Sequence, residues 1–327
     1  MNTKIKSLYR IHRPQKFADV VGQEHITRTL TNQITNNNIS HAYLFCGTRG
    51  TGKTTVAKIF AREVNGGAKC DLDIFEIDAA SNNGVDAVRE LIEKVKYPPV
   101  SGKYKVYIID EVHMFSTAAF NAFLKTLEEP PSHVIFILAT TEPHKLPATV
   151  LSRCLRFDFR SAATKEISAV LKKVFQKENI TADPEATEAI AAAANGSYRD
   201  ALSLAETVAS YTNGKITQDA VNQVLGAVDK KVLHNLLDSI LKKDIKTIIN
   251  TSDAIFSVGR NVNALITDFL EITKQHFIKT TDLPAGQAGK AAMDIYRVFA
   301  ELGVNIKNAV EAKSMFEGAC LLCTTMI

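Results

Sequence analysis

The sequence has few cysteines and no long hydrophobic run, and both shortages narrow the class of protein. Its 327 residues include five cysteines, an odd number, scattered along the chain. This pattern argues against a disulfide framework and favours a reducing cytoplasm. No stretch approaches the roughly 20 apolar residues that a membrane helix requires, and the opening MNTKIKSLYRIHRP lacks the apolar core of a secretory signal. We therefore expect a cytoplasmic protein with no membrane partner.

An excess of charge of one sign is also missing. Lys and Arg together number 39 and Asp and Glu 35, which gives a formal net charge of +4. So small a positive net charge permits contact with phosphates but does not by itself argue for binding of nucleic acid. Hydrophobic residues make up 46% of the chain and charged residues 23%, which is typical of a soluble globular protein. At this length we expect two or three domains.

One cysteine pair has the C-x-x-C spacing. Cys320 and Cys323 lie in the apolar segment EGACLLCTTM, with no βαβ pattern around them and no second pair nearby. A redox or metal site would require one of those contexts. We therefore expect two small core residues, three apart on one helical face.

The order of predicted elements indicates an α/β domain followed by two helical domains. Up to about residue 160, the strand-like runs AYLFCG, DIFEID, YKVYIID and VIFILATT alternate with amphipathic helical segments. Near-continuous apolar strands in such an alternation predict a parallel sheet that is covered on both faces. After about residue 162 the strand-like runs end and helical spacing continues to the C-terminus. We predict an α/β domain over 1–162, a small helical domain over 163–227 and a second helical domain over 228–327.

A phosphate-binding loop follows the first predicted strand. GTRGTGKTT fits G-x-x-x-x-G-K-[ST] in full, and it lies between a strand and a helix, the context that gives the motif meaning. Its backbone N–H groups would face phosphate oxygens, Lys53 would reach the β- and γ-phosphates, and Thr54 would bind Mg²⁺. The alternative is a glycine-rich turn that only connects two elements. The expected nucleotide-binding set is Gly47, Thr48, Gly50, Thr51, Gly52, Lys53, Thr54 and Thr55.

Two adjacent acids end another apolar strand, VYIIDEVH. Asp110 follows a fully apolar run, where a carboxylate is costly unless it serves a cation, so we expect it to serve Mg²⁺. Glu111 can polarise an attacking water, which favours hydrolysis. For one of the two acids, capping of the next helix is an alternative. Thr141, at the end of VIFILATT, can contact the γ-phosphate or the water, although threonine is also an ordinary strand residue. We expect His113 to be a polar residue at a helix start.

Several longer segments together resemble one protein family. YRIHRPQKFADVVGQEHI, EIDAASN, LKTLEEPP, LATTEPHKLPATVLSRC and GSYRDALSL, with the two motifs above, resemble the gamma/tau subunits of bacterial DNA polymerase III. Those subunits are the AAA+ ATPases of the sliding-clamp loader. The resemblance is near continuous from residue 8 to about 226 and weaker beyond. It implies an AAA+ P-loop domain, a helical lid and a C-terminal helical collar that holds an oligomer together.

The resemblance assigns roles to residues that spacing alone leaves open. It implies that Arg153, in Ser-Arg-Cys, reaches the ATP of a neighbouring subunit, where a cation is worth about 10³–10⁵ in rate in other NTPases. It implies that Arg199 of the lid lies over the phosphates, whereas the alternative is a helix-start arginine paired with an aspartate. Tyr9, Arg10 and Val21 match the adenine side of the pocket, although Tyr9 and Val21 are equally ordinary packing residues.

Two departures from the family pattern carry expectations of their own. The family has a four-cysteine zinc module where this chain has NGGAKCDLD with Cys70 alone, so we expect no zinc. Arg89 and Lys125 match basic residues that face DNA, but Asn82 and Gly84 stand where basic residues are common. A weaker attraction to phosphate follows. A solvated helix face is the competing interpretation of Arg89 and Lys125.

The expected function is that of the ATP- and Mg²⁺-dependent motor subunit of the clamp loader. The resemblance implies as partners other gamma/tau copies, delta and delta-prime type subunits, the sliding clamp and primer-template DNA. The chain ends soon after the predicted collar, so we expect a gamma-like form or a truncated piece. Alternatives are a nucleotide-binding scaffold that does not hydrolyse ATP, a small-molecule kinase and a related DNA motor such as a junction migrator.

Overall fold

Parallel strands form the sheet at the centre of the first half of the chain. The structure is a computed structural model that describes residues 7–225, 230–257, 262–281, 287–306 and 311–326. The sheet order is β2-β3-β4-β1-β5, with all pairs parallel. This arrangement confirms the predicted parallel α/β sheet. Its strands are β1 (Ala42–Cys46), β2 (Ile74–Asp78), β3 (Lys105–Asp110), β4 (Val134–Thr140) and β5 (Leu155–Asp158).

Contacts divide the chain into two units, Met1–Ile216 and Thr217–Ile327. The predicted three-domain division stays a prediction. The helices of the first unit are α1 (Leu8–Ile11), α2 (Glu24–Thr35), α3 (Lys53–Glu63), α4 (Val85–Val95), α5 (Thr117–Glu128), α6 (Ala148–Leu151), α7 (Thr164–Glu178), α8 (Pro184–Ala193) and α9 (Tyr198–Tyr211).

Both faces of the sheet are buried, which explains why its central strands are apolar without alternation. Successive side chains of a strand point to opposite faces. Leu44 of β1 packs into a core with α4 and α5, whereas the next residue, Phe45, packs into a second core with α2 and α3. Strands β1, β3 and β4 are buried almost throughout, whereas the edge strands β2 and β5 expose most of their residues.

A three-helix bundle, α7 to α9, completes the first unit. Each of its helices contacts the other two. The sequence predicts no strand after residue 162, but the structure pairs β6 (Thr181–Ala182) with β7 (Lys215–Ile216) in parallel. Two residues per strand are too few to carry an alternating pattern, which is why the sequence does not reveal this pair.

The second unit is helical and has its own core. Phe269, Phe299 and Phe316 meet at its centre, with ring centroids 4.5 Å and 5.5 Å apart for the successive pairs. Cys320 and Cys323 are buried in the same core, and burial raises the pKa of the Cys323 thiol to about 12. The prediction that this pair is a core feature is confirmed. The helices are α10 (Gln218–Leu225), α11 (Lys230–Leu241), α12 (Ile245–Ser257), α13 (Val262–Thr281), α14 (Gln287–Asn305) and α15 (Ala312–Met326).

None of the helices in the described part of the chain is both long enough and apolar enough to cross a membrane.

A buried carboxylate organises the loop that precedes β3. Asp73, directly before β2, is fully buried, and it accepts hydrogen bonds from the backbone N–H groups of Val100 (2.6 Å), Ser101 (2.7 Å) and Gly102 (2.6 Å). The Ser101 hydroxyl donates to it as well, at 3.0 Å. Burial alone would raise the pKa of Asp73, but these donors outweigh it and the net pKa is lowered. The ionised carboxylate thus holds the loop against the edge of the sheet.

We expect Asp73→Asn to lower the free energy of unfolding by about 1–3 kcal/mol, because an amide NH₂ would face backbone donors. Because the folded-state pKa is lowered, the stabilisation by the wild-type carboxylate is complete above about pH 4 and is lost as the pH falls. Chemical unfolding at neutral and acidic pH measures the difference. Asp86→Asn, at a side chain that is 89% exposed, is the matched control. Equal effects of the two variants would contradict the proposed role of Asp73.

Candidate functional site

The predicted site residues meet at the carboxyl edge of the sheet. Because β4 lies between β1 and β3, Thr140 at its end separates the P-loop from Asp110 at the end of β3. Cys46, the last residue of β1, lies in register with Thr140, and the backbone N–H of Gly47 donates to the Thr140 carbonyl at 3.2 Å. Ligands of open α/β sheets bind at this edge.

The P-loop leads into the start of α3, where no side chain caps the first backbone N–H groups. Gly52 caps the helix with a positive φ of 102° and no side-chain cap, so the first N–H groups of α3 have no side-chain acceptor at the cap. Lys53 is only 6% exposed, and its Nζ donates to the carbonyls of Gly47 (2.8 Å) and Thr48 (3.0 Å). Burial lowers the pKa of Lys53, and the nearby Glu111 opposes this shift. The loop therefore combines a helix N-terminus with a buried cation, as an anion site requires.

The remaining threonines of the loop hold its shape. The Thr51 hydroxyl donates to the Thr48 carbonyl at 2.9 Å, and the Thr48 hydroxyl lies 3.1 Å from the hydroxyl of Ser161. Thr55 accepts a hydrogen bond from Arg13 Nε at 2.9 Å.

Thr54 and Asp110 form the pair expected to hold Mg²⁺. The Thr54 hydroxyl donates to Asp110 Oδ2 at 2.8 Å, and the other carboxylate oxygen accepts the backbone N–H of Glu111 at 3.0 Å. A hydroxyl beside a carboxylate fits Mg²⁺, which takes oxygen ligands and is usually bound by one or two carboxylates with waters and substrate phosphates. In the described segments of the chain, no group of three or more His, Cys, Asp and Glu side chains forms a metal site.

Glu111 is held in place by the backbone and by a neighbouring strand end. Its φ of 49° and ψ of 42° are left-handed values that cost a non-glycine residue about 1–3 kcal/mol. The Thr141 hydroxyl donates to Glu111 Oε2 at 3.1 Å. His113, predicted as a polar helix-start residue, lies in a 3₁₀ turn with its ring buried between Thr140 and Glu142.

The N-terminus of α9 lies directly on the P-loop. The backbone N–H of Tyr198 donates to the Gly50 carbonyl at 3.1 Å, and its hydroxyl donates to the Val21 carbonyl at 3.0 Å. Burial raises the pKa of Tyr198. A Cβ on Gly50 would lie 1.9 Å from Ser197 Oγ, so only glycine permits this approach. The bundle thus contacts both the phosphate loop and the expected adenine side.

Tyr9 brings the two candidate arginines together. The guanidinium of Arg199 lies 4.9 Å from the centroid of the Tyr9 ring and that of Arg10 lies 5.6 Å from it, within the range of cation–π attraction. Arg10 Nε donates to the Tyr9 hydroxyl at 3.0 Å, and this bond is the largest cause that lowers the pKa of Tyr9 to about 8. Arg199 is exposed at the start of α9, as the alternative expects, but within the described residues no ion pair joins it to Asp200, and its guanidinium lies on Tyr9.

Sequence reasoning missed two polar residues close to this site. Arg13 is partly buried beside Thr55, and burial lowers its pKa. Gln23 is fully buried, and its amide bonds both backbone groups of Arg160, donating to the carbonyl at 2.7 Å and accepting from the N–H at 3.2 Å. Both lie within the quoted segment YRIHRPQKFADVVGQEHI, but neither has a spacing that indicates a role.

Arg153 stands apart from the other candidates. It follows α6, and its guanidinium pairs with Glu128 at 2.6 Å and donates to the Thr149 carbonyl at 2.7 Å. Cys154 beside it packs partly against the sheet core, and burial raises the pKa of its thiol to about 12. The structure therefore does not bring Arg153 to the P-loop of its own chain, and the role in trans stays a prediction.

The two DNA-contact candidates lie on the adjacent helices α4 and α5. Arg89 pairs with Asp86 at 3.1 Å, and both side chains are largely exposed. Lys125 is exposed, and no carboxylate of the described residues lies within 4.0 Å of its Nζ. The zinc prediction concerns Cys70, whose side chain lies outside the described residues.

Three models of known protein families together match most of the chain. A model described as "DNA polymerase III, delta subunit" matches residues 22–73 and 62–163. A model for the ATPase lid domain of the DNA polymerase III clamp loader subunit matches 166–214, and one for domain III of DNA polymerase III subunits gamma and tau matches 216–310.

Individual relatives agree with the family models. DNA polymerase III subunit tau of Bacillus subtilis is 46% identical over 283 residues, which are 81% of this chain and 50% of that protein. A DNA polymerase III subunit gamma of Buchnera aphidicola is 40% identical over 288 residues, 83% of this chain and 79% of that protein. The chain thus spans about half the length of the tau relative and about four-fifths of the gamma relative.

Among solved structures, the Holliday junction branch migration motor RuvB of Thermotoga maritima has a similar fold. Its TM-score is 0.55 at 20% identity, over 81% of this chain and 91% of that one. At this identity the likeness concerns the fold alone.

We expect Gly50→Ala to destabilise the nucleotide-free chain by about 1–3 kcal/mol more than Gly52→Ala, because only its Cβ overlaps Ser197. Both glycines have positive φ, and a Cβ on Gly52 meets nothing within 4 Å, so the comparison separates overlap from backbone strain. Adding Ser197→Gly to Gly50→Ala should recover most of the difference, since glycine replaces a serine cap at little cost. Chemical unfolding is the measurement, and equal losses for the two alanine variants would refute the contact.

Proposed function

The chain belongs to the DNA polymerase III gamma/tau family, and from this premise we propose that it is an ATPase motor subunit of the sliding-clamp loader. The observation that carries the proposal is the paired geometry at the sheet edge. The Thr54 hydroxyl donates to the Asp110 carboxylate at 2.8 Å. The Thr141 hydroxyl donates to the carboxylate of the next residue, Glu111, at 3.1 Å. A metal-binding pair beside an oriented general base is what hydrolysis of a phosphoanhydride requires.

The residues take distinct roles in the proposed reaction. The N–H groups of the P-loop and Lys53 bind the phosphates of ATP, because a helix N-terminus and a cation favour negative charge. Thr54 and Asp110 hold Mg²⁺, which when bound neutralises charge that develops on the phosphates. Glu111 accepts a proton from the attacking water, and Thr141 orients the Glu111 carboxylate.

The proposed site is incomplete without a second subunit. Arg153 is engaged by Glu128 on its own chain, at a position apart from the P-loop contacts. We assign it to the ATP of a neighbouring gamma/tau copy, where it stabilises the transition state. Hydrolysis then depends on how neighbours are aligned, so that delta and delta-prime type subunits, the clamp and primer-template DNA can control it.

The bundle α7 to α9 is the proposed nucleotide-sensitive lid. Its contacts with Gly50 and Val21 flank the expected phosphate and adenine positions. Arg199, now on the Tyr9 ring, is assigned to the phosphates when ATP is bound. A change at the loop would then move the lid, and this is the proposed link between ATP and the shape of the assembly. Such an assembly acts where bacterial DNA is copied, in the cytoplasm.

The direct test combines the chain with clamp, delta-type partners and primed DNA and measures ATP turnover. We expect full turnover only with all components present, and a Glu111→Gln chain gives the baseline without a general base. Turnover equal to that baseline in the complete mixture would favour the non-hydrolysing scaffold instead. Full turnover by the chain alone would contradict the proposal that the site is incomplete without a second subunit.

We expect Arg153→Ala to leave ATP binding by the isolated chain unchanged and to lower turnover in the assembled complex about 10³-fold. Nucleotide titration and steady-state turnover measure the two quantities. Arg156→Ala is the matched control, because Arg156 is exposed on β5 and pairs with Asp158 of its own strand. An Arg153→Ala loss that is as large in the isolated chain as in the complex would contradict action in trans.

We expect Lys125→Ala to weaken the salt dependence of primed-DNA binding. The slope of the logarithm of the binding constant against the logarithm of the salt concentration should become shallower by about 0.9, the value of one phosphate contact. Binding by the assembled complex is measured by fluorescence anisotropy over a range of salt concentrations. Lys172→Ala, at an exposed lysine of α7, is the control for loss of one charge. If both variants keep the wild-type slope, Lys125 is a solvated surface residue.

A further inference from the structure

A buried polar cluster lies behind Glu111, and the proposed reaction does not use it. The His113 side chain is 7% exposed. Its Nδ1 lies 3.0 Å from Thr140 Oγ1 and 3.5 Å from Glu111 Oε2, and its Nε2 lies 3.1 Å from Glu142 Oε2. Lys145 pairs with the same Glu142 oxygen at 2.8 Å. The ring thus stands between two carboxylates, one of them the proposed general base.

The hydrogen bonds fix the ring at both ends. Thr140 Oγ1 accepts the backbone N–H of Glu142 at 3.0 Å, so its own proton is available to His113 Nδ1. Nε2–H then donates to Glu142 Oε2. With a second ring proton, Nδ1–H would instead point towards Thr140 and Glu111. In both arrangements Thr140 and Glu142 hold the imidazole, but only the ring with protons on both nitrogens has an Nδ1–H to offer Glu111 Oε2, because in the neutral ring Nδ1 accepts from Thr140.

The two oxygens of Glu111 therefore have different surroundings. Oε2 accepts the Thr141 hydroxyl at 3.1 Å and faces His113. Within the described residues, no donor contacts Oε1. A carboxylate that is held through one oxygen presents the other in a fixed direction, as a general base needs in order to meet its water.

We propose that His113, with a proton on each ring nitrogen between the Glu111 and Glu142 carboxylates, is a positioning residue that holds Glu111 Oε2 so that Oε1 faces the attacking water. The inference rests on the proposed ATPase function and extends it to two residues outside the P-loop and its acid pair. The arrangement follows the general pattern in which a third group orients the base through its neighbour. His113 makes no contact with ATP in this scheme and acts only through Glu111.

The test compares His113→Leu with His113→Asn in the complete loader mixture. The two side chains are close in size, but only asparagine keeps a polar atom near the position of Nδ1. We expect His113→Leu to lower kcat about 10–100-fold, as loss of a supporting residue does, with KM and ATP affinity within about twofold of wild type. His113→Asn should retain part of the lost kcat. Wild-type kcat in His113→Leu would overturn the proposal.

A double-mutant cycle with Glu111→Gln tests whether His113 acts through Glu111. In that background His113→Leu should cause no further loss, whereas an independent role would multiply the two losses. Glu142→Gln, at a side chain that is 36% exposed, keeps the test open if His113→Leu fails to fold. It should lower kcat in the same direction, and an unchanged kcat would refute the anchor. A wild-type chain no faster than Lys53→Ala would instead refute the ATPase function itself.

Discussion

The position of β4 between β1 and β3 is the constraint on which the rest of the site depends. It keeps the P-loop and Asp110 one strand apart, and the Thr54–Asp110 hydrogen bond of 2.8 Å closes that gap. Thr140, the last residue of β4, contacts both the P-loop and the groups beside Glu111. Its carbonyl accepts the N–H of Gly47, and its buried hydroxyl contacts His113. A shift of β4 would therefore disturb the phosphate loop and the support of the general base together.

Two kinds of contact hold this edge, and they differ in how easily they can change. Lys53, Thr140 and the His113 side chain are buried at this edge, where an unpaired polar group is costly, so they favour one arrangement. The contacts of the lid are of a different kind. Arg199 rests on Tyr9 at a largely accessible position, Tyr198 bonds Gly50 and Val21, and Glu178 of α7 pairs with His12 at 2.6 Å. A lid that is joined to the phosphate loop and to the N-terminal segment by separate polar contacts suits a protein whose nucleotide state has to alter its shape.

The sequence predicted four of the five strands of the main sheet and missed the edge strand β5. β1, β3 and β4 are buried on both faces and read as apolar runs, so they were predictable, as was the placement of Lys53, Thr54 and Asp110 at one edge. β5 was not among the predicted strands, because it has four residues and most of them are exposed. The role of His113 was also beyond sequence reasoning. Its partners Thr140 and Glu142 come from another strand end, and only the sheet order brings them to the ring.

Arg153 shows why part of the site cannot be found within one chain. Its ion pair with Glu128 joins two side chains that are 32% and 45% exposed, and pairs of this kind contribute about 0–1 kcal/mol. Lys53, by contrast, is buried and bonded to its own loop. On the proposed role in trans, a weak pair is an advantage. It keeps the guanidinium ordered in the free chain, and it costs little to exchange Glu128 for the more strongly charged phosphates of a neighbour. The cation that completes the site is thus one that its own chain holds through a partly exposed ion pair.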